Sequence, residues 1–555
     1  MEQHALNRRS FITGAAAGAA AIAAAAAVPA ATQARAAAAA ADAKAAYPAW
    51  LGEPPAISDD QIAQTVEADV VVVGGGNAGV MCACAAAENG ATVAVLESQP
   101  QEAIWYYGLH DIASLNSNYS LEHGSKEIRK SDFIAEYQRR THNRSNPRLI
   151  GQFADKSGEM VDWLIANGPA EVADSLFLRK APMWQTYFDE GAEVNTFKCW
   201  LGTIQYNFNA AAPALIKQAE ERGAQWFWET RGVVLAAGDF GGNAEMFEAL
   251  MDERRNISEM HGLPTDNLIN GMFGRDGSGI KMGLWAGGSM GPDRIVCSPN
   301  IIFRSETYPT NLLRWGSGFP DGECVWGSPF MWVDSDGRRF TDETILGVFG
   351  QIVRAERLKP GRYFSIFDSN FRENISRMPP EHFSLPVLED YDFESLFASW
   401  VERGPEGGEA PEGGAVCCWG AQSLEDLLSY LPMTDEAKTE LAAEIERYNG
   451  YCEAGEDDDF GRDPKTLVPV NKPPYYAIMS VDEKPMVGTV TLNGLVIDDK
   501  QRVLDKRYIP IVGLYATGNN SDGRFAIQYS TQMQGLTLGF AMTHGRELGK
   551  ALAQA

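Results

Sequence analysis

Basic charge is scarce in this chain. Its 555 residues carry 47 Lys and Arg against 74 Asp and Glu, a formal net charge of −27. That balance excludes nucleic acid as a partner, because neutralising phosphates requires a basic face. Paired cysteines are missing too. The eight Cys (82, 84, 199, 297, 324, 417, 418 and 452) form no CxxC, which excludes a zinc ribbon and a CxxCH haem attachment. Cys82 and Cys84 fall inside a predicted helix and read as core, and Cys417-Cys418 read as part of a Gly-rich loop. The seven His show no HExxH or other paired spacing, so no metal site is expected. Beyond residue 36 no run of about 20 apolar residues occurs, so no further membrane span is expected. The 45% hydrophobic fraction and 13 Trp are those of a large folded core.

The first 36 residues have their own pattern. Asn7-Arg8-Arg9-Ser10-Phe11-Ile12 is a charged head, followed by an Ala-rich, weakly apolar run that closes on Ala34-Arg35-Ala36. Charged, apolar and small-residue zones in that order read as a secretory signal, and the paired arginines before Phe11 resemble the twin-arginine type. That route carries folded proteins, usually with a cofactor inside. Residues 37–65 are Ala, Pro and polar residues and read as a linker.

The sequence then tightens. In ADVVVVGGGNAGVMCACAAAENGATVAVLES (68–98), Val70 to Val73 read as a buried parallel strand, and Gly74, Gly76 and Gly79 make GxGxxG. Gly74 permits the tight turn, Gly76 lets backbone approach a pyrophosphate, and Gly79 lets the helix lie close to the strand. Asn77 and Ala78 open that helix, whose free N–H groups favour phosphate. A second strand, Thr92 to Leu96, ends on Glu97-Ser98, where an acid takes the ribose hydroxyls. The unit therefore predicts dinucleotide binding. Two later strand-then-glycine segments point to a flavin: RGVVLAAGDFGGNAEM with Ala237 and Gly238, and GLYATGNNSDG with Gly518 and Asn519. A helix opening on Gly535-Leu536-Thr537 would place its positive end at a reduced flavin ring.

These pieces, with GRDGSGIKMGLWAGG (274–288), VDSDGRRFTDE (333–343) and TLNGLVID (491–498), come in one order along nearly the whole chain. In that order they resemble the flavoprotein family of fumarate reductase and succinate dehydrogenase, which also holds urocanate reductases and ketosteroid Δ1-dehydrogenases. The resemblance implies an α/β fold, a Rossmann-like FAD-binding domain (66–290 and 473–555) with an inserted α+β capping domain (291–472). It also implies non-covalent FAD. VERGPEGGEAPEGGAVCCWG (401–420) reads as an exposed loop of the cap, and Thr434 to Gly455 as a capped helix.

The chain also departs from that family. Fumarate-reducing members carry RFxxExxxRD, whose last Arg donates the proton; counting from Arg339-Phe340, that place holds Gly347. The HGxNRxGG run that grips a dicarboxylate is replaced by DGRFAIQYSTQMQG (522–535). Fumarate is therefore not the expected substrate. Tyr529 and Arg524 are the catalytic candidates: a phenol as proton donor or carbonyl ligand, a guanidinium for a carboxylate or ketone. Only WFWETRG (226–232) stands where the family places a β-meander with an adenine contact. Trp105, Tyr106, Tyr107 and His110 are candidates for an aromatic pocket, and with Trp184, Trp200, Trp226 and Trp228 they favour a large planar substrate over a small diacid.

The expected function is an exported FAD-dependent reductase. It would transfer hydride from reduced flavin to an activated C=C of an enoate, cinnamate-like or enone acceptor in anaerobic respiration. With no fused haem segment, the resemblance implies a separate membrane cytochrome or flavin-carrier as electron donor, placed outside the cytoplasm. The alternatives are a dehydrogenase forming a C=C bond, as ketosteroid Δ1-dehydrogenases do, and a non-catalytic flavin- or ligand-binding protein.

Overall fold

The computed structural model describes residues 47–554 apart from 63, 103, 105, 107–110, 126, 142, 179–202, 229–235, 252–274, 293–295, 298–329, 344–363, 378–392, 411–413, 480–489 and 526–534. Strand β1 (Val70–Val73) runs into helix α1 (Asn77–Glu88), and β2 (Val93–Leu96) pairs with β1 in parallel. β3 (Gln225–Phe227) pairs in parallel on the other side of β2. The segment expected to be a bare connection thus contributes a strand, and Trp226 lies inside it. α1 has a small-residue surface because it is packed on every side: Val80, Met81, Ala83 and Ala85 are fully buried. Cys82 and Cys84 are core, as their helical placement predicts, and burial pushes both thiols up to about 12, which leaves them inert. α2 (Pro147–Asn167) and α3 (Phe208–Glu221) complete this core, α2 opened by Asn146 and α3 by Asn207 as side-chain caps.

A second core surrounds a five-stranded antiparallel sheet. Its strands are β4 (Met331–Val333), β5 (Phe364–Asp368), β6 (Gly408–Ala410), β7 (Gly414–Ala421) and β8 (Tyr475–Met479), in the order β6-β7-β8-β5-β4, with helix α4 (Phe393–Arg403) on one side. β5 is buried along its whole length because both faces are covered. Ile366 packs towards α5 (Asp435–Ala454), while Phe367 stacks among Phe330, Phe397, Trp400 and Tyr476 on the α4 side. α5 matches its sequence signal at both ends: Thr434 accepts from Ala437 N–H, and Gly455 closes it in the left-handed region. Two expectations change. Within 401–420 the described residues are a helix end, a 3-10 turn and the two antiparallel strands β6 and β7, where an exposed loop was expected, and Cys418 is buried in β7. The sheet also takes in residues 475–479, beyond the boundary drawn at 472.

One ionic cluster lies wholly inside this second unit. Arg339 Nε and Nη2 reach the two oxygens of Glu343 at 2.7 and 2.9 Å, and Asp457 is 2.9 Å from Nη2. Arg462 Nη1 shares Glu343 Oε2 at 2.9 Å, and both guanidinium groups lie over the Tyr448 ring. The Arg-Phe-x-x-Glu part of the fumarate-reductase signature therefore persists here as an internal brace.

The chain then returns to the first unit. β9 (Arg502–Leu504) and β10 (Pro510–Tyr515) form an antiparallel hairpin, and helix α6 (Leu536–Ala553) lies directly on α1. The approach is close because Gly545 and Gly549 of α6 face the carbonyls of Ala78 and Cys82; a Cβ at either glycine would overlap them. The end of the expected linker also docks here: Leu51 is buried, and Trp285 Nε1 donates to Gly52 O at 3.0 Å. Residues 1–46 lie outside the described residues.

Candidate cofactor and active site

The site assembles at the carboxyl end of β1. Gly74 N–H donates to Leu96 O at 2.9 Å, and Ala236 N–H to Val73 O at 2.7 Å. Gly74 has φ 111°, and a Cβ there would stand 2.6 Å from Ala236 O, so the turn admits only glycine. Gly76, by contrast, has nothing within 4 Å of a Cβ position: its backbone faces open space, as an approaching ligand requires. Ala237 and Gly238 follow Ala236 alongside this turn, Gly238 with φ 80°. Asn77 and Ala78 form the first turn of α1, whose N-cap, Gly76, supplies no side-chain cap.

Glu97 sits where the sequence places it, at the end of β2, and is buried. Its Oε2 accepts Gly75 N–H at 2.7 Å, and its Oε1 accepts Gln99 N–H at 2.9 Å and the Ser98 hydroxyl at 3.3 Å. The acid thereby ties β2 to the glycine loop. Gly518 brings in the fourth segment. It turns with φ 58°, and a Cβ there would meet Ala78 Cβ at 3.0 Å and Ala541 Cβ at 4.0 Å, so the 518–520 turn is wedged between the starts of α1 and α6. Asn519 is half-buried beside it. Gly535 opens α6 with φ 74°, again without a side-chain cap, and its carbonyl accepts Ala113 N–H at 3.1 Å. Leu536 and Thr537 thus head a helix whose positive end is held against the buried segment Ala113–Leu115.

The polar inventory fits FAD. Thr517 Oγ1, Asn519 Oδ1, both amide atoms of Asn520, Thr543 Oγ1 and Trp226 Nε1 are buried with no hydrogen-bond partner. Leaving such groups unsatisfied costs about 1–3 kcal/mol each. A ligand bearing ribose, ribityl hydroxyls, diphosphate and a heteroaromatic ring offers the missing partners. Gly74, Gly76, Asn77, Ala78 and Gly79 would hold its diphosphate, Glu97 its ribose, and Gly518, Asn519 and the start of α6 its flavin half.

Sequence reasoning missed one pair here. Asp239 is fully buried, accepts Gly241 N–H at 2.7 Å and pairs with Arg275 Nη1 at 3.1 Å, joining the AAGDFGG and GRDGSG segments. The available signal was an acid inside a run of small apolar residues. The expected aromatic pocket is also revised. Tyr106 is a core residue, edge-on to Phe208, and Trp226 and Trp228 pack against the first core. Trp226 Nε1 and Glu97 Oε2 would each be 3.4 Å from a Cβ on Gly75, which puts this indole on the adenosine side. Trp105, Tyr107, His110, Trp184, Trp200, Gly347 and Tyr529 lie outside the described residues.

Arg524 does not face an open site. It is 2% exposed; Nη2 donates to Gly518 O and, at 3.1 Å, to Ser521 O, while Tyr137 Oη donates to the Arg524 carbonyl at 2.8 Å. Beside it His544 is buried, stacked on Phe540, with Nε2 3.0 Å from Leu149 O. Burial, with the Arg524 charge adding to it, pushes His544 down to about 3. Its folded pKa is depressed, so its stabilising contribution is complete above the unfolded value near 6.5 and is lost as pH falls towards 3. The holoenzyme is expected to lose on the order of 2 kcal/mol between pH 7 and pH 5 through this group, and His544→Gln to flatten that slope in thermal melts.

Fold and site together define a flavin-dependent oxidoreductase. A family model described as "FAD binding domain" matches residues 69–182 and 212–530. The chain belongs to this family, within the fumarate reductase group of FAD-dependent oxidoreductases. Among curated proteins it is similar to a vinyl phenol reductase of Lactiplantibacillus plantarum (26% identity; 88% of this chain, 96% of the relative). A digoxin reductase (25%; 88% and 87%) and a urocanate reductase (24%; 82% and 70%), both of Eggerthella lenta, are also similar. Among solved structures it shares its fold with 3-ketosteroid-Δ4-(5α)-dehydrogenase of Rhodococcus jostii (TM-score 0.57, 18% identity, 88% of this chain and 97% of that one). The open form of a flavocytochrome c3 fumarate reductase is likewise similar (TM-score 0.53, 18%, 87% and 78%).

Proposed function

We propose that this protein is an exported reductase of an activated C=C bond, conjugated to an aromatic ring, a carboxylate or a ketone, working in anaerobic respiration. The observation that carries this reading is the positive end of α6 at Gly535, built into the flavin half of the site. Such an end stabilises negative charge on a reduced ring and so marks the flavin's redox end; the direction towards C=C reduction rests on the acceptor class. FAD supplies the hydride when bound. Tyr529 holds the proton and delivers it to the neighbouring carbon of the acceptor, so that hydride and proton together saturate the bond. Two sequence features set the acceptor class: Gly347 stands where fumarate reducers place their donor Arg, and the dicarboxylate-gripping run is replaced. The names of the vinyl phenol, urocanate and digoxin reductases support an unsaturated, ring-bearing acceptor. Electrons come from a separate membrane cytochrome or flavin-carrier, which an acidic chain with net charge −27 would attract through a basic docking face.

The test is anaerobic reoxidation of the reduced holoenzyme by a panel of vinyl phenols, cinnamate-like acids, urocanate, enones and fumarate. Rapid reoxidation by a ring-bearing acceptor and none by fumarate is expected. Fumarate turnover overturns the acceptor class. A flavin that is reduced by a saturated ketone and reoxidised by no alkene reverses the direction. Tyr529→Phe is expected to lower kcat on the order of 10²-fold or more with the flavin still bound; undiminished turnover removes Tyr529 as the donor.

A further inference from the structure

Arg524 is a fully buried cation with no carboxylate in ion-pair contact among the described residues; Asp522, two positions earlier, acts on it through its field alone. Nη2 is taken by the carbonyls of Gly518 and Ser521, whereas Nε and Nη1 have no partner. Its other neighbours are the Phe525 ring, the Tyr137 hydroxyl that bonds its backbone, and His544. Burying a charge without a counter-charge is among the most costly arrangements a core can hold. Burial accordingly moves this guanidinium down to about 10, Tyr137 and Asp522 offset that only in part, and its own charge helps keep His544 neutral, so no acid among the described residues forms an ion pair with it.

The position of the charge indicates what balances it. Arg524 is bonded to the carbonyl of Gly518, and Gly518 is wedged against Ala78 in the first turn of α1. The glycine loop itself, Gly74 to Gly79, contains no Lys or Arg. A diphosphate seated there brings two negative charges to a loop that carries no cation of its own, in a chain that is strongly acidic overall. We infer that Arg524 is the buried counter-charge of the FAD diphosphate, acting through the Gly518–Asn520 turn without touching the phosphates. It is a positioning and electrostatic residue. The protein core holds a positive charge that Asp522 offsets only in part and that the cofactor neutralises, so cofactor binding and folding are coupled at this point. This inference concerns the cofactor alone and is independent of the acceptor proposed above.

The experiment measures the FAD dissociation constant of the holoenzyme, by recovery of flavin fluorescence on dilution, together with the flavin midpoint potential. Arg524→Gln removes the charge and is expected to weaken FAD at least tenfold with little change in potential. Arg524→Lys keeps the charge and is expected to stay within about threefold of the parent. Equal losses in both variants mean that Arg524 only braces the loop, and overturn the inference. Unchanged FAD affinity with a lowered potential assigns the charge to the flavin ring instead, and also overturns it. If Arg524→Gln does not fold, His544→Glu decides: a carboxylate beside Arg524 leaves its backbone bonds in place while supplying an internal counter-charge. That variant is expected to weaken FAD at least tenfold, and unchanged affinity overturns the inference.

Discussion

Gly79→Ala is expected to yield a protein without flavin. Gly79 lies in the first turn of α1, where the helix crosses the loop it has just left. A Cβ there would overlap the carbonyl oxygen of Gly74 and stand 3.4 Å from Val72 Cγ1. The Gly74 carbonyl cannot yield freely, because its own residue is locked at φ 111° against Ala236. The helix would have to lift from the strand, moving its N–H groups away from the diphosphate. Overpacking of this kind costs about 1–3 kcal/mol in stability, and misplaced phosphate donors cost at least as much in binding, so the flavin-to-protein ratio should fall on the order of tenfold or more. Gly76→Ala makes the contrast. Its Cβ meets nothing within 4 Å, so it should fold as the parent does while crowding the ligand. Thermal melts with and without added FAD separate the two: Gly79→Ala loses stability in both, Gly76→Ala only the increment that FAD provides. A flavin-replete Gly79→Ala protein would overturn this account of the loop.

The second large effect is expected in the second core, at Glu343. This carboxylate joins Arg339 and Arg462, all three with fully buried side chains. Glu343→Ala would leave Asp457 as the one acid, among the described residues, facing these buried guanidinium groups, and breaking a buried ion network in this way costs about 3–5 kcal/mol. Tyr448 and Phe460, which lie under the Arg339 charge, would lose their alignment with it. The expected result is early melting of the second unit, seen as a separate low-temperature transition in calorimetry while the flavin is still bound. Glu343→Gln keeps the shape and some hydrogen bonds and should fall between. A single unshifted transition in Glu343→Ala would show that the brace is not needed.

How much was legible beforehand depends on how local each signal is. GxGxxG, the acid at the end of β2 and the caps of α5 are encoded within a few residues, and each is where the sequence puts it. β7 was not legible. Its residues Gly414–Ala421 contain a single β-branched side chain and read as a flexible loop; pairing with β6 and β8 makes them a strand. Trp226 was read as a pocket aromatic on composition alone, yet the parallel pairing of β3 with β2 turns its indole towards Gly75. Arg524 follows the same rule. A lone Arg after Asp-Gly suggests a surface or substrate contact, and only the packing of Leu149, Phe540 and His544 around the 518–525 segment encloses it.

The seating of α6 on α1 bears on how the protein is made. Ala78 and Gly545, in contact at this crossing, are separated by most of the polypeptide. At about 5–20 residues per second of translation, the glycine loop leaves the ribosome roughly half a minute or more before the helix that covers it. During that interval the apolar back of α1 has no partner, and the nascent chain displays a surface that chaperones recognise. Flavin capture that depends on this crossing must therefore wait until α6 has been made.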